Sequence, residues 1–502
     1  MHKKTTTSSL SGVPLASHTS GTSRTTNAAL LAAIALLLSA CAVGPDYKKP
    51  EAPTPAAYKE NQDWVPAAPA DALDRGTWWT LFNDPVLNQL EASVEVSNQN
   101  VAAAIAAYEQ ARALVREQRA ALFPVVTLDG GGTRSGSGGG NATVNPTTGA
   151  VINSGSRASN NYQVSIGGSW EPDVWGNLGR TVSGASASAQ ASAADLASAK
   201  LSAQGELATN YISLRQTDAQ KALLADTIVA YQRSLQITQN RYNAGVATKS
   251  DVLQAQTQLA NTQADEVGLV RQRAQLEHAI AVLVGKAPGD FTLTPAEWSA
   301  TIPEVPTGIP SVLLQRRPDI AAAERRVAAS NEQIGIAQSA YYPNLKLNAS
   351  YGYGASRVAD LFSTASNVWS LGLSAAQTLF NAGATRARVE GAQAAYQQTV
   401  ANYRQTVLTA FQGVEDQLAA THVLAQQQEL RRQASTAADQ VEQQALNRYR
   451  QGQISYTDVV TAQATALSAR SALIQSQADR QTTSIALIQA LGGGWHIEPQ
   501  KY

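Results

Sequence analysis

The segment Arg241-Tyr242-Asn243-Ala244-Gly245-Val246-Ala247-Thr248-Lys249-Ser250-Asp251-Val252 returns as Arg448-Tyr449-Arg450-Gln451-Gly452-Gln453-Ile454-Ser455-Tyr456-Thr457-Asp458-Val459. Arg, Tyr, Gly, Asp and Val keep their places at an offset of roughly two hundred residues, too long for a solenoid repeat. Each copy lies between two long polar stretches of helical pattern, so each reads as the tip of a helical hairpin. Gly245 and Gly452 supply the left-handed residue that ends a helix. Thr248-x-x-Asp251 and Ser455-x-x-Asp458 are capping boxes with Asp in the Glu position, and they open the return helix. The chain reads as a tandem duplication of one very long helical hairpin.

The formal net charge is zero, so no strongly basic face points to nucleic acid. The helical stretches lean on Ala, Gln, Ser and Thr, which favours shallow helix contacts over a thick globular core. Cys41 is the single cysteine, so no intrachain disulfide forms. It follows Lys3, Lys4 and Arg24, an apolar run from Ala28 to Leu38, and Leu38-Ser39-Ala40. That run is too short to span a bilayer and fits a signal-peptide core over residues 1–40. Leu-Ser-Ala-Cys resembles the bacterial lipobox, which implies lipidation at Cys41. Ala42 after the Cys favours the outer membrane by the same resemblance. Two or more acyl chains anchor stably where one does not.

After a Pro/Ala strap to about Asp71, Trp78-Trp79-Thr80-Leu81-Phe82 forms an aromatic staple, and Asp84-Pro85 opens a helix with Asp at the cap and Pro at N1. This helix is predicted to run unbroken from Val86 to Phe123. Beyond Pro124 the period changes to two. Val125–Thr133, Tyr162–Glu171, Leu345–Tyr353 and Trp369–Ala375 read as four strands of roughly ten residues, the length that crosses an outer membrane when tilted. Tyr162, Trp170, Tyr351, Tyr353 and Trp369 suit interfacial girdles; a half-buried soluble sheet has the same period. Low-complexity loops, Gly136–Asn161 and Ala355–Ser366, join the strands in pairs. Gly130-Gly131-Gly132 follows a strand but lacks Gly-Lys-Ser/Thr, so it is no phosphate loop.

Four strands cannot close a membrane barrel, whose smallest form has about eight. Open edges in lipid would cost several kcal/mol for each unpaired amide. Copies of the chain must therefore share one barrel. Two copies give eight strands and little pore, three give twelve and a lumen; this arithmetic does not choose between them. The helices match in length as well. Gly179–Asn243, roughly 60 residues or about 95 Å, returns through Ser250–Val284 and Leu313–Ala340. Ala384–Arg450 returns through Thr457–Leu491 and the first helix. Pro-rich sequence separates the shorter helices. Val459/Val460, Ala466/Leu467 and Leu473/Ile474 step by seven, the beat of knobs-into-holes packing.

In order along the chain, Cys41-Ala-Val-Gly-Pro-Asp-Tyr, Trp78-Trp79-x-x-Phe82-x-Asp84-Pro85, Arg316-Arg317-Pro318-Asp319-Ile320-x-Ala322-Ala323-Glu324, Ile334-Gly335-x-Ala337, Tyr342-Pro343-x-Leu345-x-Leu347 and the two Arg-Tyr-x-x-Gly tips resemble a TolC-like outer-membrane factor of the lipoprotein branch that serves drug efflux. The resemblance implies a fold that is mainly α with a membrane β-barrel: a homotrimer with a twelve-stranded β-barrel, four strands per subunit, a long periplasmic α-helical barrel and an equatorial domain. It implies a passive exit duct docked on a periplasmic adaptor and an inner-membrane efflux transporter. The expected divisions are 1–40 signal peptide, 41–85 lipidated strap and equatorial segment, 86–285 first structural repeat, 286–312 equatorial segment, 313–491 second structural repeat and 492–502 equatorial tail. An exit duct for type I protein secretion, or a non-conducting coiled-coil lipoprotein, would use the same long helices.

Nothing in the sequence supports catalysis or a cofactor. The five His are scattered, no cluster has metal-ligand spacing, and no nucleophile motif occurs. The candidate sites are the tips, Ala244, Gly245, Val246, Ala247 and Thr248 with Gln451, Gly452, Gln453, Ile454 and Ser455, where an adaptor helix could pack; plain chain reversal is the other reading. Asp251 and Asp458 lie one turn inside, where each caps a helix for about 1 kcal/mol. By resemblance Asp458 sits at the aperture, where copies would form a carboxylate ring favouring cations. Thr461 stands where related factors often have a second Asp. Arg316-Arg317-Pro318-Asp319 reads as a helix start, with Pro318 at N1 and Asp319 in the first turn.

Overall fold

The computed structural model describes residues 42–493 except 56, 61–74, 137–141, 145, 150, 154–157, 304 and 306–316. The signal peptide, Cys41, Arg316 and residues 494–502 of the tail lie outside the described residues. Backbone contacts divide the chain into two compact units. One gathers the residues through Gly44, Leu122–Gly179 and Gln338–Asn381; the other holds Pro45–Ala121, Arg180–Ala337 and Ala382–Tyr502.

The first unit is a sheet. Strands β1 (Val125–Gly136), β4 (Ala158–Trp170), β5 (Asn344–Ala355) and β6 (Asn367–Ala376) pair antiparallel in the order β1-β4-β5-β6. All four expected strands are present, and each is longer than the alternation indicates. The expected loop between them also holds a small ladder, β2 (Ala142–Val144) with β3 (Val151–Asn153). The register sorts side chains by chemistry, because side chains alternate faces with period two. Leu128, Ile166, Tyr351 and Trp369 lie opposite one another in one row across all four strands, and they are 74%, 55%, 53% and 72% exposed. The adjoining row on the other face is Thr127, Gly167, Ser350 and Ser370. One face is thus polar, and the other is a continuous apolar surface bared to its surroundings.

The second unit is helical. Helices α1 (Pro85–Ser97), α2 (Gln99–Ala120), α3 (Asn177–Asn243), α4 (Lys249–Leu283), α5 (Pro318–Ser339), α6 (Ala384–Arg450) and α7 (Tyr456–Ala490) supply its bulk; Asn177–Gly179 at the start of α3 and Gln338–Ser339 at the end of α5 fall in the sheet unit. The duplication is visible element by element: α3 and α6 have 67 residues each, α4 and α7 have 35, α2 and α5 have 22, and β1 and β5 have 12. No helix among the described residues is long and apolar enough to cross a membrane.

The first helix is not continuous, contrary to its sequence pattern. Asn98 leaves helical geometry with ψ 125°, accepts from the amides of Asn100 and Val101, and donates through Nδ2 to the Leu283 carbonyl at 2.8 Å. Asn98 therefore caps α2 and is tied to the end of α4. Gly285, at φ +69°, sits so close that a Cβ there would lie 2.2 Å from the Ser97 carbonyl oxygen. The break arises from this long-range contact, which no local periodicity records.

Buried polar groups pin the irregular segments. Asp84 caps α1 and also accepts from Tyr211 Oη at 2.7 Å. Arg215, nearly inaccessible, is held by Tyr211 Oη, Asp218 and the Thr294 carbonyl, while Arg273 pairs with Asp218. A buried charge is tolerable when paired in this way. Gln481 on α7 accepts from Trp298 Nε1 and donates to the carbonyls of Ser299 and Thr301. The Pro-rich stretch after α4, among its described residues irregular apart from a turn at Pro288–Asp290, is thereby fixed to the helices. Among the described residues, the N-terminal strap holds no helix or strand. Arg180 and Asn331 both donate to the Pro45 carbonyl, Tyr47 Oη and Lys49 reach Glu324, and the amides of Lys59 and Glu60 reach Glu415.

Glu91 on α1 has no such pairing. It is 0% exposed and neither carboxylate oxygen has a hydrogen-bond partner. Burial pushes its carboxyl from the ordinary 4.5 up to about 9. The folded state keeps a proton that the unfolded chain releases near pH 4.5. Its contribution to stability is full below that pH and is lost as pH rises through the folded value. Glu91→Gln, which cannot titrate, is expected to raise the thermal unfolding midpoint at pH 8 and to flatten its decline between about pH 5 and 9. Parallel pH profiles for the two proteins would show that Glu91 does not titrate in this window.

Candidate functional site

Both signature segments fold as tight reversals. At the first, Gly245 takes φ +73°, its amide reaches the Tyr242 carbonyl, and the Val246 amide reaches the Arg241 carbonyl at 2.9 Å. At the second, Gly452 takes φ +75°, with Gly452 to Tyr449 and Gln453 to Arg448, both at 2.9 Å. These are Schellman closures, and they need a residue without Cβ at the left-handed position. Thr248 with Asp251, and Ser455 with Asp458, then form reciprocal capping boxes at the starts of α4 and α7. Four residues in each turn are exposed; Ala247 and Ile454 are half-buried.

The two tips are also joined to each other. The Arg241 guanidinium lies 4.8 Å from the Tyr449 ring centre and donates through Nη1 to the Arg450 carbonyl at 3.1 Å. Tyr449 meets Tyr456 edge to face at 5.2 Å, and Thr457 Oγ1 reaches Gln254 at 3.3 Å. Ala255, Tyr449, Tyr456 and Val459 form a small buried cluster of their own. Burial also raises the Tyr456 hydroxyl above its ordinary value, so the phenol stays neutral. The copies differ here: Tyr449 is buried, whereas Tyr242 is exposed, with Lys249 over its ring at 5.6 Å.

The candidate aperture residues are accessible in part. Asp458 is exposed, and its Oδ2 accepts from the amide and hydroxyl of Ser455. Asp251 is half-buried; its Oδ2 accepts from the Thr248 amide, and its own amide donates to the Thr248 hydroxyl. Thr461, one turn further along α7 and exposed, returns its hydroxyl to the Thr457 carbonyl at 3.0 Å. The residues that sequence reasoning left without a role are Arg241, Tyr449 and Tyr456. The signal was the Arg-Tyr pair shared by the two copies, but only the fold shows that the Arg of one copy stacks on the Tyr of the other.

Arg241→Ala removes a cation–π contact and a charged hydrogen bond, together about 1–2 kcal/mol at a partly buried position. Amide hydrogen exchange across Gln451–Ser455 should quicken by about tenfold, with Arg241→Lys between that and the parent. Unaltered exchange would mean that the caps alone hold the tips.

No group of His, Cys, Asp and Glu suited to a metal ion occurs among the described residues. Comparison with known proteins gives a consistent result. The family model described as outer membrane efflux protein matches residues 92–286 and 309–493. A probable efflux pump outer membrane protein, TtgC of Pseudomonas putida, is 32% identical over 471 residues, covering 93% of this chain and 95% of the relative. OprJ of Pseudomonas aeruginosa is 29% identical, covering 92% and 95%. Among solved structures, the outer-membrane channel OprN superposes with a TM-score of 0.82 at 30% identity, covering 91% of this chain and 100% of that one. The open state of the Neisseria gonorrhoeae MtrE channel gives 0.80 at 26%, covering 92% and 100%. The chain belongs to the outer membrane efflux protein family, the TolC-like exit ducts of efflux systems.

Proposed function

We propose that three copies of this chain form a twelve-stranded β-barrel in the outer membrane, four strands from each, and that the helices of the three form a periplasmic α-helical barrel around one water-filled path. One observation carries the reading: a four-stranded sheet with an apolar outer face and two open edges. In lipid such edges must be paired, and the family's exit-duct role requires a lumen. The divisions expected from sequence follow, with a strap through residue 85, repeats over 86–285 and 313–491, and equatorial segments at 286–312 and 492–502. The duct is passive. It receives small molecules from an inner-membrane transporter through a periplasmic adaptor, which docks on Ala244–Thr248 and Gln451–Ser455. The relatives named as efflux pump outer membrane proteins support this assignment over protein secretion. In planar bilayers the purified protein should conduct ions; a silent protein would favour a non-conducting spacer.

Asp458, with Asp251 and Thr461, lines the aperture, and three Asp458 carboxylates form a ring that favours cations. The charge and the cap are separable. Asp458→Asn retains an acceptor for the Ser455 amide, whereas Asp458→Ala does not. Both variants should lower cation selectivity, read as a shift of reversal potential in a salt gradient, and only Ala should loosen the start of α7. Reversal potentials equal to the parent's would leave Asp458 a capping role alone.

Cys41 carries the lipid. The residue after it is held at the base of the sheet: the Val43 amide donates to the Trp175 carbonyl at 3.0 Å, and Ala42 lies against Gly176, where a Cβ would meet it at 3.1 Å. Trp170 ends β4 just before, a placement suited to an aromatic belt at the bilayer surface. Cys41→Ser should abolish labelling by radioactive palmitate; label that persists would place acylation elsewhere.

A further inference from the structure

The bare face of the sheet is uncharged at every level but one. Alternation puts the even-numbered residues of β1 and β4, and the odd-numbered residues of β5 and β6, on this face. They are aliphatic, aromatic or glycine residues, with Asn160 and Asn367 as the two amides. Arg134, exposed near the end of β1, is the one charged side chain on this face among the described residues. The charges of the polar face, Asp129 and Lys346, lie on the opposite side. Asn367 already has a partner, since its Nδ2 donates to Tyr351 Oη at 2.6 Å. Arg134 forms no ion pair among the described residues, and the residue opposite it in the ladder is Asn160.

The height of Arg134 on the sheet decides what it meets. Trp170 lies at the end from which the chain continues into α3, so Arg134 lies at the far end. Trp170 and Asn160 stand ten residues apart on β4, about 34 Å along an antiparallel strand. With strands tilted by about 35–45°, that is about 25 Å of height, which matches the apolar band of a membrane barrel. A second aromatic group closes the band from its far side. The Tyr162 ring lies over Gly132, where a Cβ would meet it at 3.0 Å, and Tyr353 meets Phe362 edge to face at 5.7 Å. Arg134 and Asn160 form the next row beyond Gly132 and Tyr162. An arginine on a lipid-facing surface is costly at mid-depth and nearly free at the interface. Continued by two residues, the register of Tyr162 with Ala355 sets Arg357 level with Asn160. Arg357 is still extended, at φ −131° and ψ 142°, and it too has no ion pair among the described residues.

We infer that Arg134, with Asn160 and Arg357 beside it, binds the phosphate of a glycolipid in the outer leaflet, and that the acyl chains of this lipid lie along the apolar rows beneath. The inference rests on the membrane reading above. Charge complementarity selects the occupant. The outer leaflet of a bacterial outer membrane is built of phosphorylated glycolipid, so phosphate is the anion found at this depth. A guanidinium is a planar fork of donors that can take two phosphate oxygens at once. The Asn160 amide adds a donor without a competing charge. Each arginine near an anionic membrane surface favours the acidic lipid by about fivefold.

Lipid A tests this, with a dephosphorylated lipid A of the same acyl chains as the control. The full-length protein is equilibrated with each lipid in mild detergent, and the lipid retained after gel filtration is counted per chain. The parent should retain lipid A at least about fivefold better than the control, and high salt should weaken the preference. Arg134→Gln should remove most of it, Arg134→Lys should keep part, and Arg134→Gln with Arg357→Gln should abolish it. Each variant should conduct ions as the parent does, because neither arginine is on the lumen face. Equal retention of both lipids by a conducting parent, or an undiminished preference in the double variant, would overturn the site while sparing the duct. Variants that lose the oligomer but keep the lipid preference would make Arg134 a contact between copies and overturn the site as well. A native mass of one chain for the parent would overturn both readings.

Discussion

Every backbone amide placed in hydrocarbon must find its partner within protein, since lipid offers none. The sheet of this chain meets the requirement along its three internal seams and leaves it unmet along β1 and β6. Soluble proteins protect such edges with charge, proline or a covering helix. Here the outer rows are Leu, Ile, Tyr and Trp, a surface that water would penalise at about 25 cal/mol per Å². Apolar face and open edges together suit a lipid surrounding, and in the proposed trimer the edges close and a channel follows.

The helical unit solves a different problem. Helices of 67 residues have little large apolar sequence with which to hold one another. They approach closely on small residues, and a few sites fix their registry. Gly205 faces Gln489, Gly335 faces Arg180, and Gly285 faces the Ser97 backbone, each so near that a Cβ would collide. Arg215, Asp218 and Arg273 add a buried charged cluster whose members satisfy one another. Such networks specify one arrangement more than they add stability. Glu91 lacks this compensation and survives in the fold by keeping its proton.

Duplication explains why the halves match in length yet differ in their surroundings. The tips share Arg, Tyr and Gly, but Arg241 reaches across to Tyr449 within the chain, while Tyr242 stays open. The strand entries share an aromatic and a proline, but Tyr342 is stacked by Trp175 and is 41% exposed, whereas Phe123 is 65% exposed. In each case one half is completed inside the subunit, and its counterpart presents the same chemistry outward.

The duplication, the helix reversals with their caps, the four strands and the family were all legible in the linear sequence. Each rests on local chemistry: the positive φ of Gly245 and Gly452, hydroxyl and carboxylate spacing at Thr248 and Asp251, alternation from Tyr162 to Trp170, proline at 124 and 343. The break at Asn98 was not legible, because its cause is the Leu283 carbonyl and the space left by Gly285, both far along the chain. Nor was the small ladder inside the Gly/Ser-rich loop, whose composition favours turns while backbone pairing favours strands. The joining of the tips through Arg241 and the isolation of Glu91 belong to tertiary structure alone. Sequence period states which way a side chain points along its own element, and only packing decides what it meets there.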